Sequence, residues 1–207
     1  MYTPRAFAET DLAELDRLLA RDAFVTLVSS DGGIPFASHL PVLYSRNGEQ
    51  VLIEGHWAKP NPQAAHGGDA LMIVHGPHAY LSPGWYTDKE EAARVPTWNY
   101  VVAHLTGRLQ ASVEEEFLAS IVDRLSRRHE AAIGSDWRYE HADPRLRSQL
   151  RGIVGFRFVP ERIELKLKLS QNHPEANVRA AAAALAVQDD SGAHAIAALM
   201  LERLDSV

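Results

Sequence analysis

The chain of 207 residues contains no cysteine, and its charge is acidic rather than basic. Without cysteine there is no disulfide framework, no thiolate-bound zinc or iron–sulfur cluster, and no cysteine nucleophile. The 21 Lys and Arg residues against 27 Asp and Glu residues give a formal net charge of -6. A nucleic-acid-binding protein usually carries a basic surplus on at least one face, so this balance argues against that class.

Long apolar runs are also missing. The most apolar stretches, around Val101 and at 180–187, fall short of the ~20 residues that a membrane helix needs, so no membrane partner is predicted. Residues 1–6 lack the basic start and apolar core of a signal peptide, and we therefore expect a cytoplasmic protein. The hydrophobic content of 46% and the charged content of 23% are those of an ordinary globular protein.

Several familiar catalytic motifs are absent, namely the dinucleotide-binding glycine fingerprint, the P-loop, the nucleophile elbow and the zinc-protease helix motif. The ten histidines include His75 and His78, and also His39 and His56, on predicted strands. No acidic ligand lies at helical spacing beside them, so partly buried strand histidines are favoured over a metal site. No catalytic residue is identified, and His39, His56 and His78 are the candidates that titrate near neutrality.

The first half of the chain reads as an antiparallel β-meander. Leucine spacing after Asp11 predicts a helix over 11–20. Residues 23–29, 34–44 and 51–57 are rich in strand formers, and short turns such as Asn47-Gly48 separate them. Further strands are predicted at 70–75, 78–82 and 97–110. Asn61 is expected to cap a short helix that has Pro62 in its first position.

The second half alternates helices and strands. Ser112 and Glu115 predict a capping box and a helix to about residue 128. Residues 152–170 predict one or two strands broken at Pro160, and helices follow over about 174–188 and to about 205. No internal repeat or linker is found. We therefore predict a single α+β domain over 1–207, with a small antiparallel barrel and a helical tail from about 174 to 207.

Residues 82–96 show no periodicity and predict a long exposed loop, and such loops inside compact domains are more often functional than idle. Residues 124–168 hold eleven basic and six acidic residues (11 − 6 = +5). A local basic surface is possible there, although interspersed charges are more typical of a solvated face.

Three polar and aromatic clusters are candidates for binding. Residues 55–63 place His and Lys at a strand end before a helix start, which suits an anion; a capped turn with a solvated lysine is the alternative. Residues 96–100 offer two aromatic rings and an amide to a flat ligand, unless the rings belong to the core. Residues 166–172 end a strand with four consecutive hydrogen-bonding groups; a strand end that only caps the next helix is the alternative.

Six segments occur in order along nearly the whole chain: Thr26–Ser29, Pro35–Pro41, His56–Gln63, Gly76–Pro83, Val95–Tyr100 and Lys168–Asn172. Together they resemble the PaiB-type FMN-binding proteins, a family usually labelled negative transcriptional regulators. The segments that begin at Gly76 and Val95 are long and specific.

The resemblance implies a split β-barrel of the pyridoxamine-phosphate-oxidase type and a homodimer that binds FMN at the subunit interface. It implies that Lys59 and the backbone around Asn61 hold the phosphate, although family patterns commonly have arginine in this segment, and lysine lacks the bidentate fork. The cofactor-binding residues that it implies are Ser38, His39, Leu40, His56, Lys59, Asn61, Trp98, Asn99, Tyr100, Lys168, Ser170, Gln171 and Asn172.

What the flavin does stays open at this point. A flavin-dependent oxidoreductase is one alternative, and haem binding through a histidine is a remote one. The family label allows contact with DNA, but the negative charge does not support it.

Overall fold

The computed structural model of the chain describes residues 1–205; residues 206 and 207 of the predicted helical tail lie outside the described residues. The strands are β1 Ala8–Glu9, β2 Phe24–Asp31, β3 Ile34–Pro41, β4 Leu43–Asn47, β5 Gln50–Ala58, β6 Gly68–Leu81, β7 Thr97–Ser112 and β8 Ile153–Lys168. The α-helices are α1 Ala13–Arg21, α2 Glu115–Ala132, α3 Pro144–Gln149, α4 Glu175–Ala186 and α5 Ser191–Asp205. Short 3-10 helices occur at Arg5–Phe7, Pro62–Ala65, Pro83–Trp85 and Leu150–Gly152.

The eight strands form one antiparallel sheet, which confirms the predicted α+β fold. The strand order is β3-β2-β6-β7-β8-β5-β4, and β1 pairs with β8. The predicted meander at residues 23–57 is present as β2 to β5, but the predicted strand 34–44 is two strands, β3 and β4. Within the described residues no helix is both long enough and apolar enough to cross a membrane.

Two predicted breaks in the strands are wrong. Residues 70–75 and 78–81 belong to the single strand β6, and residues on both sides of Pro160 belong to β8. In β6 the buried positions are even-numbered up to Val74 and odd-numbered from Pro77 onward. One extra residue in a strand switches the buried side from even-numbered to odd-numbered positions in this way. The Gly76-Pro77 pair therefore changes which side chains are buried without ending the strand.

The predicted capping box at α2 is also wrong. The Ser112 hydroxyl accepts a hydrogen bond from the Glu114 N–H at 3.2 Å, and the helix begins only at Glu115. Glu114 is the N-cap residue and makes no capping bond with its side chain. Because Ser112 lies two positions before the N-cap residue Glu114, the helix starts without the predicted cap.

Contacts divide the described chain into two units, which are the first unit (residues 1–15, 75–103 and from 164 onward) and the second unit (16–74 and 104–163). The prediction of a single domain stays a prediction. In the first unit α4 packs against α5 through small and aliphatic residues that are buried. These residues include Val178, Ala181, Leu185, Ala193, Ile196 and Met200.

In the second unit α2 covers β5. Phe117, Ile121 and Leu125 form a buried cluster on the inner face of the helix. A buried carboxylate adds a polar tie, since Glu54 of β5 accepts a bond from the Arg124 Nη1 of α2 at 2.8 Å and one from the Arg157 Nε of β8 at 3.3 Å. The helix is therefore fixed to the sheet by both apolar and ionic contacts.

Gly107 of β7 lies at a close approach of this strand to β8 in the second unit. A Cβ atom there would lie 2.2 Å from the Val159 carbonyl oxygen and 2.6 Å from the Pro160 Cα. Gly107→Ala is expected to lower the free energy of unfolding by about 1–3 kcal/mol, because backbone atoms cannot move aside as a flexible side chain can. Urea denaturation measures the loss. Gly67→Ala, where no atom lies within 4 Å, is the control, and equal stability of the two variants would contradict the close approach.

Candidate functional site

A cavity of about 310 Å³ in the first unit gathers residues from two of the predicted clusters. Asn99, Lys168, Ser170 and Asn172 all line it. Two polar residues in the same wall, Arg94 and His173, lie outside the predicted clusters, and Thr97 lies within residues 96–100 but was not named as cofactor-binding. Four of the thirteen predicted residues therefore share one cavity.

Strand direction explains this grouping. Thr97 begins β7 and Lys168 ends β8, and the two strands are antiparallel neighbours. The start of one strand consequently lies beside the end of the other. Segments separated by about 70 residues along the chain thus meet at one edge of the sheet.

A buried amide joins these two segments. Asn99 has no exposed surface, and its Nδ2 donates to the Ser170 hydroxyl at 3.0 Å and to the Met200 sulfur of α5 at 3.3 Å. Ser170 is buried and has a positive φ of 64°. Non-glycine residues seldom adopt this conformation, and such strained positions cluster at functional sites.

Lys168 holds its ammonium group between the two segments. Its Nζ donates to the Thr97 hydroxyl and, at 2.6 Å, to the Trp98 carbonyl. Burial lowers the pKa of Lys168, and the neighbouring Lys166 lowers it further. Two of the three ammonium donors are used within the chain, so one stays available to a ligand.

The aromatic residues of the second cluster are not core. Trp98 is 52% exposed, and its ring lies 5.9 Å from the Tyr80 ring and 6.0 Å from the His78 ring. Tyr100 is half-buried, with the Lys166 ammonium 5.0 Å from its ring centroid. Since successive side chains of a strand alternate in direction, Trp98 and Tyr100 lie on the face opposite to Asn99.

The segment 82–96 is mostly exposed and contains no strand or α-helix, as predicted, but it is anchored at several points. Tyr86 is 2% exposed and stacks on His173 with ring centroids 4.8 Å apart. The Asn177 side chain of α4 accepts a bond from the Thr87 N–H at 2.9 Å and donates to Asp88 at 2.7 Å. This segment therefore gives the cavity a wall that is tied to α4.

An ion pair closes the same segment. The Arg94 Nε donates to the Asp88 carboxylate at 2.9 Å, and a second bond runs from the Arg94 Nη2. Hydrogen bonding to Arg94 lowers the pKa of Asp88 to about 2. The pair keeps Arg94 at the cavity wall while neutralising most of its charge.

His173 contributes a buried polar atom to the cavity. Its Nδ1 is buried and has no hydrogen-bond partner within the described residues. Burial, aided by Arg94, lowers the pKa of His173, so the imidazole is neutral at physiological pH. Gln171, in contrast, uses both ends of its amide locally, accepting from the Leu169 N–H and donating to the Leu167 carbonyl.

The predicted phosphate cluster lies in the second unit, and Asn61 takes the predicted capping position there. Its side chain accepts a bond from the Gln63 N–H at 2.9 Å and donates to the buried Ser38 hydroxyl at 2.9 Å. The Ala64 N–H donates to the Asn61 carbonyl at 3.1 Å. Asn61 therefore satisfies the N–H groups of Gln63 and Ala64, so these two groups are not free to bind an anion.

Gln63 was not among the predicted residues, although it has no exposed surface. Its Oε1 accepts from the Trp57 indole at 3.1 Å. Its Nε2 donates to the Leu27 carbonyl at 2.9 Å and approaches the Ser29 hydroxyl and the Phe36 carbonyl. One amide therefore connects the turn after β5 to β2 and β3. In the sequence, the only signal for this role is the position of Gln63 directly after Asn61-Pro62.

The remaining predicted residues of the second unit are dispersed. Lys59 is exposed, and its side chain makes no hydrogen bond or ion pair within the described residues. His39 is exposed on β3 and hydrogen-bonds to Thr26 at 3.0 Å, whereas Leu40 is buried in the core. β3 ends the strand order, so among the described residues no strand pairs with its outer edge.

His56 lies apart from the phosphate cluster. It faces a different cavity, formed with α2 and α3, and burial lowers its pKa. Adjacent positions of a strand point to opposite faces, and Trp57 is the residue of this pair that contacts Gln63. Among residues 1–205 no three His, Asp or Glu side chains lie close enough together to hold a metal ion.

Solved flavin proteins share this fold. The flavocytochrome Anf3 from Azotobacter vinelandii is 15% identical, with a TM-score of 0.55 over 80% of this chain and 72% of that chain. The FAD and heme binding protein from Mycobacterium smegmatis is 18% identical, with a TM-score of 0.50 over 78% of this chain and 73% of that chain. At these identities the comparisons define the class by fold alone, as a split β-barrel of the pyridoxamine-phosphate-oxidase type.

Sequence comparison identifies the family within this class. A family model described as "Putative FMN-binding domain" matches residues 1–162. The protease synthase and sporulation protein PAI 2 of Bacillus subtilis is 32% identical over 210 aligned residues, which cover 99% of this chain and 98% of that protein. The chain belongs to this FMN-binding, PaiB-type family, its cofactor is FMN, and the resemblance found in the sequence is confirmed.

The cavity of the first unit suits such a cofactor chemically. It offers a cationic ammonium group, hydroxyl and amide donors, and the unpartnered Nδ1 of His173. The exposed Trp98 ring lies directly before Asn99 in the same strand. A flavin presents a flat ring and many hydrogen-bonding atoms, so these residues fit the group.

Asp88→Asn tests the anchoring of segment 82–96 through its pH dependence. The carboxyl has a pKa of about 2 in the folded chain and roughly 3.9 when unfolded. Its charge therefore stabilises the fold above about pH 4, and this contribution is lost as the pH falls toward 2.

We expect Asp88→Asn to be less stable than the unchanged chain at pH 7, and the difference in free energy of unfolding between the two to shrink between pH 5 and pH 3. Urea unfolding across this range measures it, with the exposed Asp189→Asn as control; a constant difference would contradict the role of the ion pair.

Proposed function

We propose that the chain is a homodimeric flavoprotein that holds FMN non-covalently at the subunit interface and that the cavity of the first unit contributes to this site. One observation carries the proposal, namely that Asn99, Lys168, Ser170 and Asn172 line one cavity. Lys168 and Asn172 would bind polar atoms of the flavin, and Trp98 would contact its ring. Asn99 would hold Ser170 in position rather than bind FMN itself.

Residues of the second unit would bind the phosphate and part of the flavin ring. Within residues 1–205 the Lys59 ammonium group has no partner, and Lys59 remains the candidate for the phosphate, as the family resemblance implies. Ser38 and Asn61 would shape this turn, since their side chains already bond to each other. The edge strand β3, with His39 exposed on it, would offer backbone groups to the flavin ring.

Lysine substitutions test the two roles separately. Lys168→Met is expected to weaken binding of both FMN and riboflavin by about 10- to 100-fold, because a hydrogen bond from a charged group is worth about 1.5–3 kcal/mol. Lys59→Met is expected to weaken FMN but not riboflavin, which lacks the phosphate. Quenching of flavin fluorescence measures each affinity, and light scattering with and without FMN measures the dimer.

The control for these titrations is Lys89→Met, which removes an exposed lysine of segment 82–96. Unfolding midpoints show whether each variant is folded. If folded Lys168→Met binds both flavins as the unchanged chain does, the cavity of the first unit is not the flavin site. If Lys59→Met weakens riboflavin as much as FMN, Lys59 does not contact the phosphate.

Direct contact with DNA is not part of the proposed function. Many basic residues of the stretch 124–168 have acidic partners within the chain: Arg124 and Arg157 bind Glu54, Arg127 binds Asp123, Arg145 binds Asp143 and Arg147 binds Glu115. Paired charges attract phosphates weakly. Any regulatory effect would then act through the flavin or through a protein partner.

A flavin-dependent oxidoreductase is the second candidate, and the titratable groups of the cavity favour it. Bound FMN supplies electron and hydride transfer. Lys168 and His173 line the cavity, and burial lowers the pKa of each below its usual value. A neutral imidazole can accept a proton and an ammonium group can donate one, which are the two roles of general acid–base catalysis.

Steady oxidation of NAD(P)H by the FMN-loaded protein under air tests this second function. His173→Gln, compared with the unchanged chain at saturating FMN, is expected to slow turnover at least several-fold, since a neutral amide cannot exchange protons. The exposed His129→Gln serves as control. Turnover no faster than that of free FMN would rule out NAD(P)H oxidation, and a Soret absorption band in the purified protein would instead favour haem.

A further inference from the structure

The second unit contains a cavity of about 280 Å³ whose chemistry differs from that of the flavin cavity. Its walls are mainly aliphatic and aromatic, and they include Val122, Leu125, Trp137, Tyr139, Leu150 and Ile153. None of the side chains that line it is Asp, Glu, Lys or Arg. Pockets that hold small molecules are typically apolar with a few polar groups that orient the ligand.

The fold keeps this space open. Leu118, Ala119, Tyr139 and Leu150 form a buried cluster, with Val122 and Ile153 packed against it. Trp137 stands at the cavity wall with 45% of its surface exposed. A core cluster therefore forms the floor and an exposed indole forms part of the rim.

His56 is the basic group of the cavity. It lies on the face of β5 that also carries Glu54, whose carboxylate bonds to α2, while Trp57 points to the other face. Its Nδ1 is buried and has no hydrogen-bond partner within the described residues. Burial lowers the pKa of His56, so the ring is neutral and has one donor and one acceptor nitrogen.

We propose that this cavity binds a neutral aromatic molecule of one or two rings that carries a hydroxyl group, of the phenol or naphthol class. A cavity of about 150 Å³ holds benzene, so a space nearly twice as large fits up to two fused rings. The absence of a charged wall residue excludes carboxylates and phosphates, because an unpaired buried ion is costly. A hydroxyl both donates and accepts, which suits a neutral imidazole.

This site shares no lining residue with the proposed flavin site. None of its residues lines the cavity of the first unit, and its walls include none of Lys59, Ser38, Asn61 and His39. His56, which the sequence grouped with the phosphate cluster, serves the apolar cavity in this assignment. Ligand binding here and FMN binding are therefore expected to be independent.

Calorimetric titration with 2-naphthol tests the assignment, first on the FMN-saturated protein and then on the flavin-free protein. One 2-naphthol is expected to bind per chain in both, and 2-naphthoate, which is charged, at least tenfold more weakly. His56→Phe keeps a flat ring but removes both nitrogens, and it is expected to weaken 2-naphthol about tenfold. Quenching of Trp137 fluorescence, absent in Trp137→Phe, locates the ligand.

Two substitutions on α2 separate occupation of the cavity from a general effect on the fold. Ser126 lines the cavity, whereas Ser120 is exposed on the same helix. Ser126→Phe is expected to weaken 2-naphthol at least tenfold by filling the space, and Ser120→Phe is expected to leave it within twofold.

Three results would overturn the assignment: no binding by the folded chain, equal binding by these two variants, or displacement of FMN by 2-naphthol. A failure of FMN binding in the lysine variants would leave these titrations unaffected, so the two proposals can fail separately.

Discussion

The buried hydrogen bond between Asn99 and Ser170 is the contact on which the candidate flavin site depends. It links the third residue of β7 to the segment that follows β8, and the same Asn99 amide also donates to the Met200 sulfur of α5. A buried amide without partners is costly, so Asn99 fixes the position of Ser170 even though Ser170 has to adopt a positive φ. That conformation turns the chain after Lys168 and brings Asn172 and His173 to the cavity.

The alternating direction of side chains along a strand separates the remaining candidate residues onto opposite faces of the sheet. On β7, Asn99 points inward while Trp98 points outward beside Tyr80. On β5, Trp57 contacts Gln63 while His56 lines the cavity under α2. Residues adjacent in sequence therefore serve different environments, and a cluster of polar residues in sequence is not yet a cluster in space.

The difference between neighbours in sequence and neighbours in space also limits how much of the site the sequence predicts. The cap at Asn61 and the strand over 97–110 were predictable, because their signals are local. The shared cavity of Asn99 and Lys168 followed from family resemblance, since no local signal pairs β7 with β8. Arg94 and His173 were missed because only the anchoring of segment 82–96 through Asn177 and Tyr86 brings them to the wall. The breaks at Gly76 and Pro160 were wrong because pairing with neighbouring strands outweighs local propensity.

The charge of the chain is consistent with two sites of opposite character. A net charge of -6 does not prevent binding of an anionic cofactor, because the potential at a site is set by nearby groups such as Lys168 and Lys59. The same chain keeps every charged side chain away from the walls of the cavity at His56, which selects neutral ligands. Selectivity in both places therefore depends on which few ionisable residues line each cavity, and the total charge decides neither.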